Sequence, residues 1–296
     1  MRKAFLQLHT AVFLAGFTAI LGKLITLNEG LLVWYRLLIT VATLWPLYYF
    51  QQKIKPISWN ELWKISGVGI IAALHWVTFY ASIKMSNVSV ALVCFSSIGF
   101  FTAIMEPVIL KYRIHLTEVL LGIITIVGIF LIFHFDPRFK TGIIIGIVSA
   151  FLGCLFPIFN RRLLQNITPE NVTLFELTGG FLFLSIIIPV YLHWFPSDHL
   201  LPGWSDVGWL LILSWLCTVL AFNLSMKALQ KISAFTVNLT YNLEPLYGIL
   251  MAFIIFREDK SLEKSFYWGL GLIMLSVIIQ TMLIYRKHQN SKKFPG

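Results

Sequence analysis

The polar residues best suited to chemistry in this sequence stand inside long apolar runs. Residues 238–245 read NLTYNLEP, with apolar segments on both sides. On a helix, Asn238, Tyr241, Asn242 and Pro245 recur at i, i+3, i+4 and i+7 and so share one face. Amide and phenol groups on such a face can bind a polar solute or join neighbouring helices, and both interpretations stay open.

A second polar face lies in the segment around residue 75. His75 and Phe79 are one helical turn apart, and Trp76 stands beside them. A histidine within an apolar run can relay protons or bind a solute, or it can bridge two helices. Ser96, in the following segment, adds a small hydroxyl that can line a cavity or permit close packing. These four residues are candidates for binding a solute.

Three charged residues also interrupt apolar segments. Glu244 stands about ten residues into its segment, where a carboxyl can carry a proton or form a structural hydrogen bond. Arg36 and Glu176 stand near the ends of two corresponding segments. We interpret them as candidates for guarding the two mouths of a pathway, with side chains that reach the lipid–water interface as the alternative.

The elements that must position these residues are membrane helices. Of 296 residues, 58% are hydrophobic and only 12% are charged, whereas soluble domains are about a quarter charged. Runs of about 20 apolar residues match the thickness of a bilayer core, and in lipid they must be helical to pair their backbone groups. We predict ten spans: 5–25, 31–50, 63–84, 88–110, 117–135, 141–160, 172–194, 206–226, 234–256 and 266–285.

The net charge of +10 indicates topology rather than a nucleic-acid partner. If the N-terminus is cytoplasmic, most of the Lys and Arg residues fall in cytoplasmic loops, as the positive-inside rule requires. Both termini are therefore predicted to be cytoplasmic, and the first apolar run is interpreted as an uncleaved span. Glu106 is expected to pair with nearby Lys111 or Arg113.

The sequence contains no motif for a metal, a cofactor or a catalytic nucleophile, so we expect neither metal nor cofactor. The three cysteines, Cys94, Cys154 and Cys217, fall within predicted spans. We interpret them as buried thiols.

An internal repeat is the next signal. SIKMSNVSVALV at 82–93 resembles SMKALQKISAFTV at 225–237. The chain thus divides into residues 1–138 and residues 139–296, the second with a short basic tail. Each half has five predicted helices, and because five is odd the second half enters the membrane from the opposite side. Inverted repeats around a midplane site are a recurrent transporter architecture.

These features resemble the EamA-type members of the drug/metabolite transporter superfamily. The resemblance rests on LEPL at 243–246, FRE at 256–258, the start of the last span at Gly269 and Gly271, and Arg36. It covers essentially the whole chain and implies ten transmembrane helices as two inverted five-helix repeats with short loops. The first half departs from the family pattern, because Tyr112-Arg113 replaces the usual Gly-Glu ending.

The resemblance implies a secondary transporter that exports a small organic metabolite, such as an amino acid, by alternating access. The expected setting is a bacterial inner membrane, with a small solute and the lipid bilayer as partners, no nucleic acid, and a monomer or homodimer. A carrier of nucleotide sugars, sugar phosphates or nucleoside-like cofactors is the alternative within the superfamily. The scarcity of central charge favours a neutral or zwitterionic solute. A membrane enzyme or a channel or scaffold is the alternative of another class.

Overall fold

The computed structural model describes residues 2–135, 137–229, 240–241 and 243–293, and this part of the chain is helical, with no β-strand. A π-helical stretch, Trp215–Leu220, joins the ninth and tenth helices. The helices are α1 (Arg2–Leu24), α2 (Glu29–Phe50), α3 (Trp59–Met85), α4 (Val88–Phe95), α5 (Ile98–Leu110), α6 (Leu116–Phe135), α7 (Lys140–Leu163), α8 (Pro169–Trp194), α9 (Trp204–Ser214), α10 (Ala221–Leu229), α11 (Glu244–Phe256) and α12 (Lys264–Lys293).

Seven segments of the described chain are long and apolar enough to cross a membrane. They are Lys3–Leu24, Glu29–Phe50, Trp59–Met85, Val88–Leu110, Lys140–Leu163, Pro169–Trp194 and Trp204–Ser225. Three further apolar helices in these ranges are shorter, at Leu116–Ile132, Glu244–Phe256 and Lys264–Ile279. The protein is therefore an all-helical, multi-pass membrane protein, as the hydropathy pattern predicts. The number of ten spans stays a prediction.

Side-chain caps explain where several helices begin. Asn28 accepts a hydrogen bond from the backbone N–H of Gly30 at the start of α2. Ser58 and Glu61 form a reciprocal capping box at the start of α3. Such caps satisfy backbone N–H groups that have no partner within the helix.

The predicted span 88–110 is two helices, α4 and α5, that meet at Ser96 and Ser97. The hydroxyl of Ser96 donates to the carbonyl of Leu92 at 3.1 Å, and that of Ser97 donates to Cys94 at 2.7 Å. Serine hydroxyls that bond to the preceding turn compete with the helical ladder and bend it. The segment Val88–Leu110 as a whole is still one candidate span, as predicted, with a local distortion at the two serines.

Helices α5 and α11 have the same length and end in the same way. Each has 13 residues. Each ends at a basic residue in the left-handed conformation, Lys111 with φ 60° and Arg257 with φ 54°. Two helices of equal length with the same unusual C-terminal cap are what an internal repeat would produce.

Helix α3 lies at the centre of the bundle and packs against α7 and α8. Small residues permit the α3–α8 contact, because a Cβ at Gly180 would lie 2.7 Å from the carbonyl oxygen of Gly69. We call the end of the bundle where α1 ends the Lys23 end, and the opposite end, where α7 ends, the Arg161 end. The three cysteines are buried free thiols, as predicted.

Candidate functional site

Arg36 on α2 is buried in the bundle, with 3% of its surface exposed. Its Nε donates to the Thr218 hydroxyl at 3.2 Å, and its Nη1 donates to the Tyr80 hydroxyl at 3.0 Å. The guanidinium lies over the ring of Trp76, 4.1 Å from its centroid, in a cation–π contact. The interpretation of Arg36 as a side chain that reaches the interface is wrong, because three helical elements hold its charge inside.

Glu244, the first residue of α11, lies close enough to Arg36 for their charges to interact. No ion pair within 4.0 Å joins Arg36 to a carboxylate in the described part of the chain. Arg36 is also the only buried Lys or Arg among the side chains that the structure describes. Arg36 and Glu244 are thus a cation and a carboxyl that attract each other without an ion pair in the described part of the chain.

His75 on α3 lies in an aromatic cluster and links α3 to α7. Its ring stacks with Phe79 at 6.0 Å and lies 5.4 Å from Phe95 and 5.8 Å from Phe156, measured between ring centroids. Its Nδ1 donates to the backbone carbonyl of Ser149 at 2.9 Å, and the Ser149 hydroxyl donates back to the His75 carbonyl at 3.1 Å. This geometry matches a helix-bridging histidine, and a role in solute binding stays a prediction.

The structure describes only some of the remaining candidate residues. Ser96 lies half-buried at the junction of α4 and α5, with its hydroxyl engaged by its own helix. The hydroxyl of Tyr241 lies 2.6 Å from that of Ser225 on α10. Asn238 and Asn242 lie outside the described residues. The NLTYNLEP stripe is therefore a prediction that rests on the sequence.

Glu176 on α8 is a buried carboxyl, 5% exposed, and it lies near the Arg161 end. Its Oε2 accepts a hydrogen bond from the Nδ2 of Asn160 on α7 at 2.8 Å. The Oδ1 of Asn160 is buried and has no hydrogen-bond partner among the described residues. The sequence drew attention to Glu176, but it did not reveal Asn160 as the partner of this carboxyl.

Glu258 is another buried carboxyl, 3% exposed, at the Lys23 end. Its Oε1 accepts from the Lys23 ammonium at 2.7 Å and from the backbone N–H of Val88 at 3.1 Å. Its Oε2 accepts from the backbone N–H of Ser89 at 2.8 Å and from the Ser89 hydroxyl at 2.6 Å. Glu258 therefore caps the first turn of α4 from another helix, a role that the FRE motif alone does not reveal.

Further contacts close the Lys23 end. The carboxylate of Asp206 accepts from the backbone N–H of Thr26 at 2.8 Å and from its hydroxyl at 2.7 Å. The Lys84 ammonium donates to the carbonyls of Ile25 and Leu27 in the same turn. The α1–α2 connection is thus bound to α3 by Lys84 and to α9 by the buried Asp206.

The Arg161 end is joined by more exposed pairs. Arg161 contacts Glu106 at 2.5 Å, with 67% of the Arg161 side chain exposed. Lys53 lies 3.4 Å from Glu170. The prediction that Glu106 pairs with Lys111 or Arg113 is wrong, because α5 packs against α7 and brings Arg161 to it.

No group of three or more His, Cys, Asp or Glu suited to a metal ion occurs among the described residues. The polar groups described above are instead hydrogen-bonded side chains that include one buried cation and several buried carboxyls. Such a set can bind a small solute and exchange protons.

This chain is similar to a known protein family and to known proteins. The model of the EamA-like transporter family matches residues 2–134 and 140–282. An uncharacterized transporter of Synechocystis sp. is 23% identical over 234 residues, which cover 77% of this chain and 69% of that protein. A second uncharacterized transporter of that organism is 24% identical over 194 residues, which cover 60% of this chain and 53% of that protein.

A solved crystal structure is similar over the whole fold. It covers 97% of this chain and 99% of its own, with a TM-score of 0.62 at 15% sequence identity. At this identity the likeness shows the fold alone.

Proposed function

The chain belongs to the EamA-like transporter family, and from that premise we propose that it exports a small zwitterionic metabolite, such as an amino acid, by alternating access. Family membership makes it a transporter rather than an enzyme. The substrate class and the direction of transport are our proposal.

The observation that carries the proposal is the buried Arg36 beside Glu244. A guanidinium binds a carboxylate through parallel hydrogen bonds, and a carboxylate binds an ammonium group. Arg36 and Glu244 interact without a direct ion pair among the described residues. A zwitterion between them would present its carboxylate to Arg36 and its ammonium to Glu244.

The single buried cation also argues against the alternative of a phosphorylated solute. Phosphate groups require several positive charges in a dry core. Among the side chains that the structure describes, the core holds only Arg36 as a buried Lys or Arg. A nucleotide-sugar or sugar-phosphate carrier is therefore the weaker candidate.

We propose ten spans in two inverted repeats, residues 1–138 and 139–296, with both termini in the cytoplasm. The seven long and three shorter apolar helices support the number of spans. The family match to residues 2–134 and 140–282 and the equal lengths of α5 and α11 support the two halves. A bacterial inner membrane is the proposed location, because the relatives are bacterial. A monomer or homodimer is the proposed assembly.

In this proposal the cavity lies between the repeats. The proposed solute contacts are His75, Trp76, Phe79, Ser96, Asn238, Tyr241 and Asn242. Glu244 is also a candidate for carrying a coupled proton, and Glu176 for acting near one mouth. These roles are tested by substitution at each position.

The decisive experiment combines a release screen with variants of Arg36. Cells that overexpress the protein should release one or a few amino acids faster than cells with an empty vector. Arg36→Lys keeps the charge but loses the planar guanidinium, so release should fall by about tenfold. Lys140→Gln is a matched control, since Lys140 is exposed at the start of α7. If Arg36→Lys releases the same solutes at the normal rate, the proposed solute contact is wrong.

A further inference from the structure

Glu176 is a buried carboxyl that the solute site described above does not use. It lies on α8 with 5% of its surface exposed, and its partner is the amide of Asn160 on α7, at 2.8 Å. A buried carboxylate with one neutral donor and no cation is strongly disfavoured, whereas a buried carboxylic acid is tolerated. Geometry alone therefore makes this carboxyl a site that can hold a proton.

The charged groups of the neighbouring elements do not compensate Glu176. On α2, Arg36 bonds to Tyr80 and Thr218. On α3, His75 bonds to Ser149, and Lys64 is exposed.

On α7, Arg161 pairs with Glu106, and Arg162 is exposed. At the start of α8, Glu170 pairs with Lys53, which lies with Lys55 in the loop between α2 and α3.

The amide of Asn160 can serve both protonation states of this carboxyl. Its Nδ2 donates to a carboxyl oxygen of Glu176, as observed, which suits the ionised form, and its Oδ1 can accept from a carboxylic acid after rotation of the amide. The Oδ1 is buried without a partner among the described residues. A buried acceptor without a partner is costly, and a protonated Glu176 would supply the missing donor.

We propose that Glu176 and Asn160 form a proton-binding pair that couples proton movement to transport. The ionised carboxylate takes up one proton from water, and the resulting O–H donates to the Asn160 Oδ1; release of the proton restores the observed bond. Proton binding stands on the geometry of the pair, whereas its coupling to a solute rests on the proposed function.

A cleft and a close crossing of two helices lie near the pair. A cleft of about 480 Å³ opens at the Arg161 end and is lined by Lys55, Trp59 and Phe175, the residue before Glu176. The backbone of Glu176 packs against Gly69 of α3, where an added Cβ would overlap the Glu176 carbonyl oxygen. The pair therefore joins α7 to α8 at the point where α8 crosses the central helix.

Glu244 is less suited to this task because Arg36 lies within range of its charge. The nearby guanidinium offsets part of the cost of burying an ionised Glu244, which suits a contact to a substrate ammonium. Glu176 has no such cation. The two carboxyls therefore take different roles, with the proton on Glu176.

The first experiment detects the proton without any solute. Purified full-length protein is titrated with pH and followed by infrared difference spectroscopy in the carboxylic-acid C=O region. We expect a titrating band that Glu176→Gln loses and that Glu244→Gln and the control Glu106→Gln keep. Asn160→Leu should shift the band, because the acid loses its acceptor. A band of unchanged size and position in both Glu176→Gln and Asn160→Leu overturns the pair.

The second experiment tests coupling in proteoliposomes that carry a pH-sensitive dye and a mixture of the twenty amino acids. We expect solute-dependent proton flux in the wild type and its complete loss in Glu176→Gln, while solute exchange without a pH gradient persists. Normal proton flux in Glu176→Gln overturns the coupling. If no amino acid moves in any variant but the Glu176 infrared band is present, the proposed substrate fails and the proton site stands.

Discussion

Glu258 and Glu176 are two glutamates of nearly equal burial, 3% and 5% exposed, at opposite ends of the bundle. Glu258 accepts four hydrogen bonds, one of them from the Lys23 ammonium. Glu176 accepts one, from a neutral amide. Burial by itself therefore does not decide what a carboxyl does in this protein; the donors supplied by other helices do.

The different hydrogen-bond partners of these two glutamates give distinct roles to the two ends of the bundle. At the Lys23 end, a charged pair and two backbone N–H groups hold α1, α4 and the loop after α11 together, which suits a stable closure. At the Arg161 end, Glu176 can gain or lose a proton with little rearrangement beyond rotation of one amide. A transporter needs both kinds of group, one to hold a conformation and one to respond to ions.

Removal of the Glu258 side chain should have the largest effect. Glu258→Ala leaves the ammonium of Lys23 and the N–H groups of Val88 and Ser89 without their acceptor. We expect a loss of about 3 kcal/mol in the free energy of unfolding, at the low end for a buried pair because Lys23 is 37% exposed. Unfolding of the purified protein in detergent measures this loss.

Glu263→Ala is the matched control for that measurement. Glu263 lies at the same end, 3.9 Å from Arg138, with 54% of its side chain exposed. An exposed pair contributes about 1 kcal/mol or less. Equal unfolding of Glu258→Ala and Glu263→Ala would contradict the closure assigned to Glu258.

Replacement by glutamine should change the free energy of unfolding differently at the two buried carboxyls. Glu258→Gln loses the negative charge beside Lys23 and should cost about 1–3 kcal/mol. Glu176→Gln still accepts from Asn160 and removes a charge that no cation balances. Its free energy of unfolding should change by less than about 0.5 kcal/mol or rise. Equal losses in the two variants, measured by the same unfolding assay, would erase the contrast.

The smallest effect should come from the ion pair at the Arg161 end. A double-mutant cycle of Arg161→Ala and Glu106→Ala should give a coupling below about 1 kcal/mol, because Arg161 is 67% exposed. The same cycle for Lys23→Ala and Glu258→Ala should give a larger coupling, about 1–3 kcal/mol. A reversed order of the two couplings would show that burial does not strengthen the Lys23 pair.

The helical, membrane-spanning character of the chain could be predicted well, and the ends of the helices less well. Apolar runs longer than a bilayer core leave no alternative to helices. The break at Ser96 and Ser97 escaped prediction, because serine is tolerated within an apolar span and its hydroxyl can either follow or bend the helix.

The candidate site could be predicted by residue but not by partner. Arg36, His75, Glu176 and Glu244 were identified from their rarity within apolar segments. The cation–π contact of Arg36 with Trp76 and the bond between Asn160 and Glu176 were not. The local pattern left open an Arg36 that reaches the interface, since one helix cannot show that its neighbours supply a ring and two hydroxyls.

The sequence by itself determined that this chain resides in a membrane, because hydropathy is a property of each residue and sums along the chain. It also determined which residues are costly to bury. The tertiary structure alone decided how each is compensated, since Lys23 meets Glu258 across 235 positions and Arg36 meets Thr218 across 182. How well a buried charged side chain is stabilised depends on the hydrogen-bonding and charged groups within a few ångströms of it. In a helical bundle these groups come from distant parts of the chain.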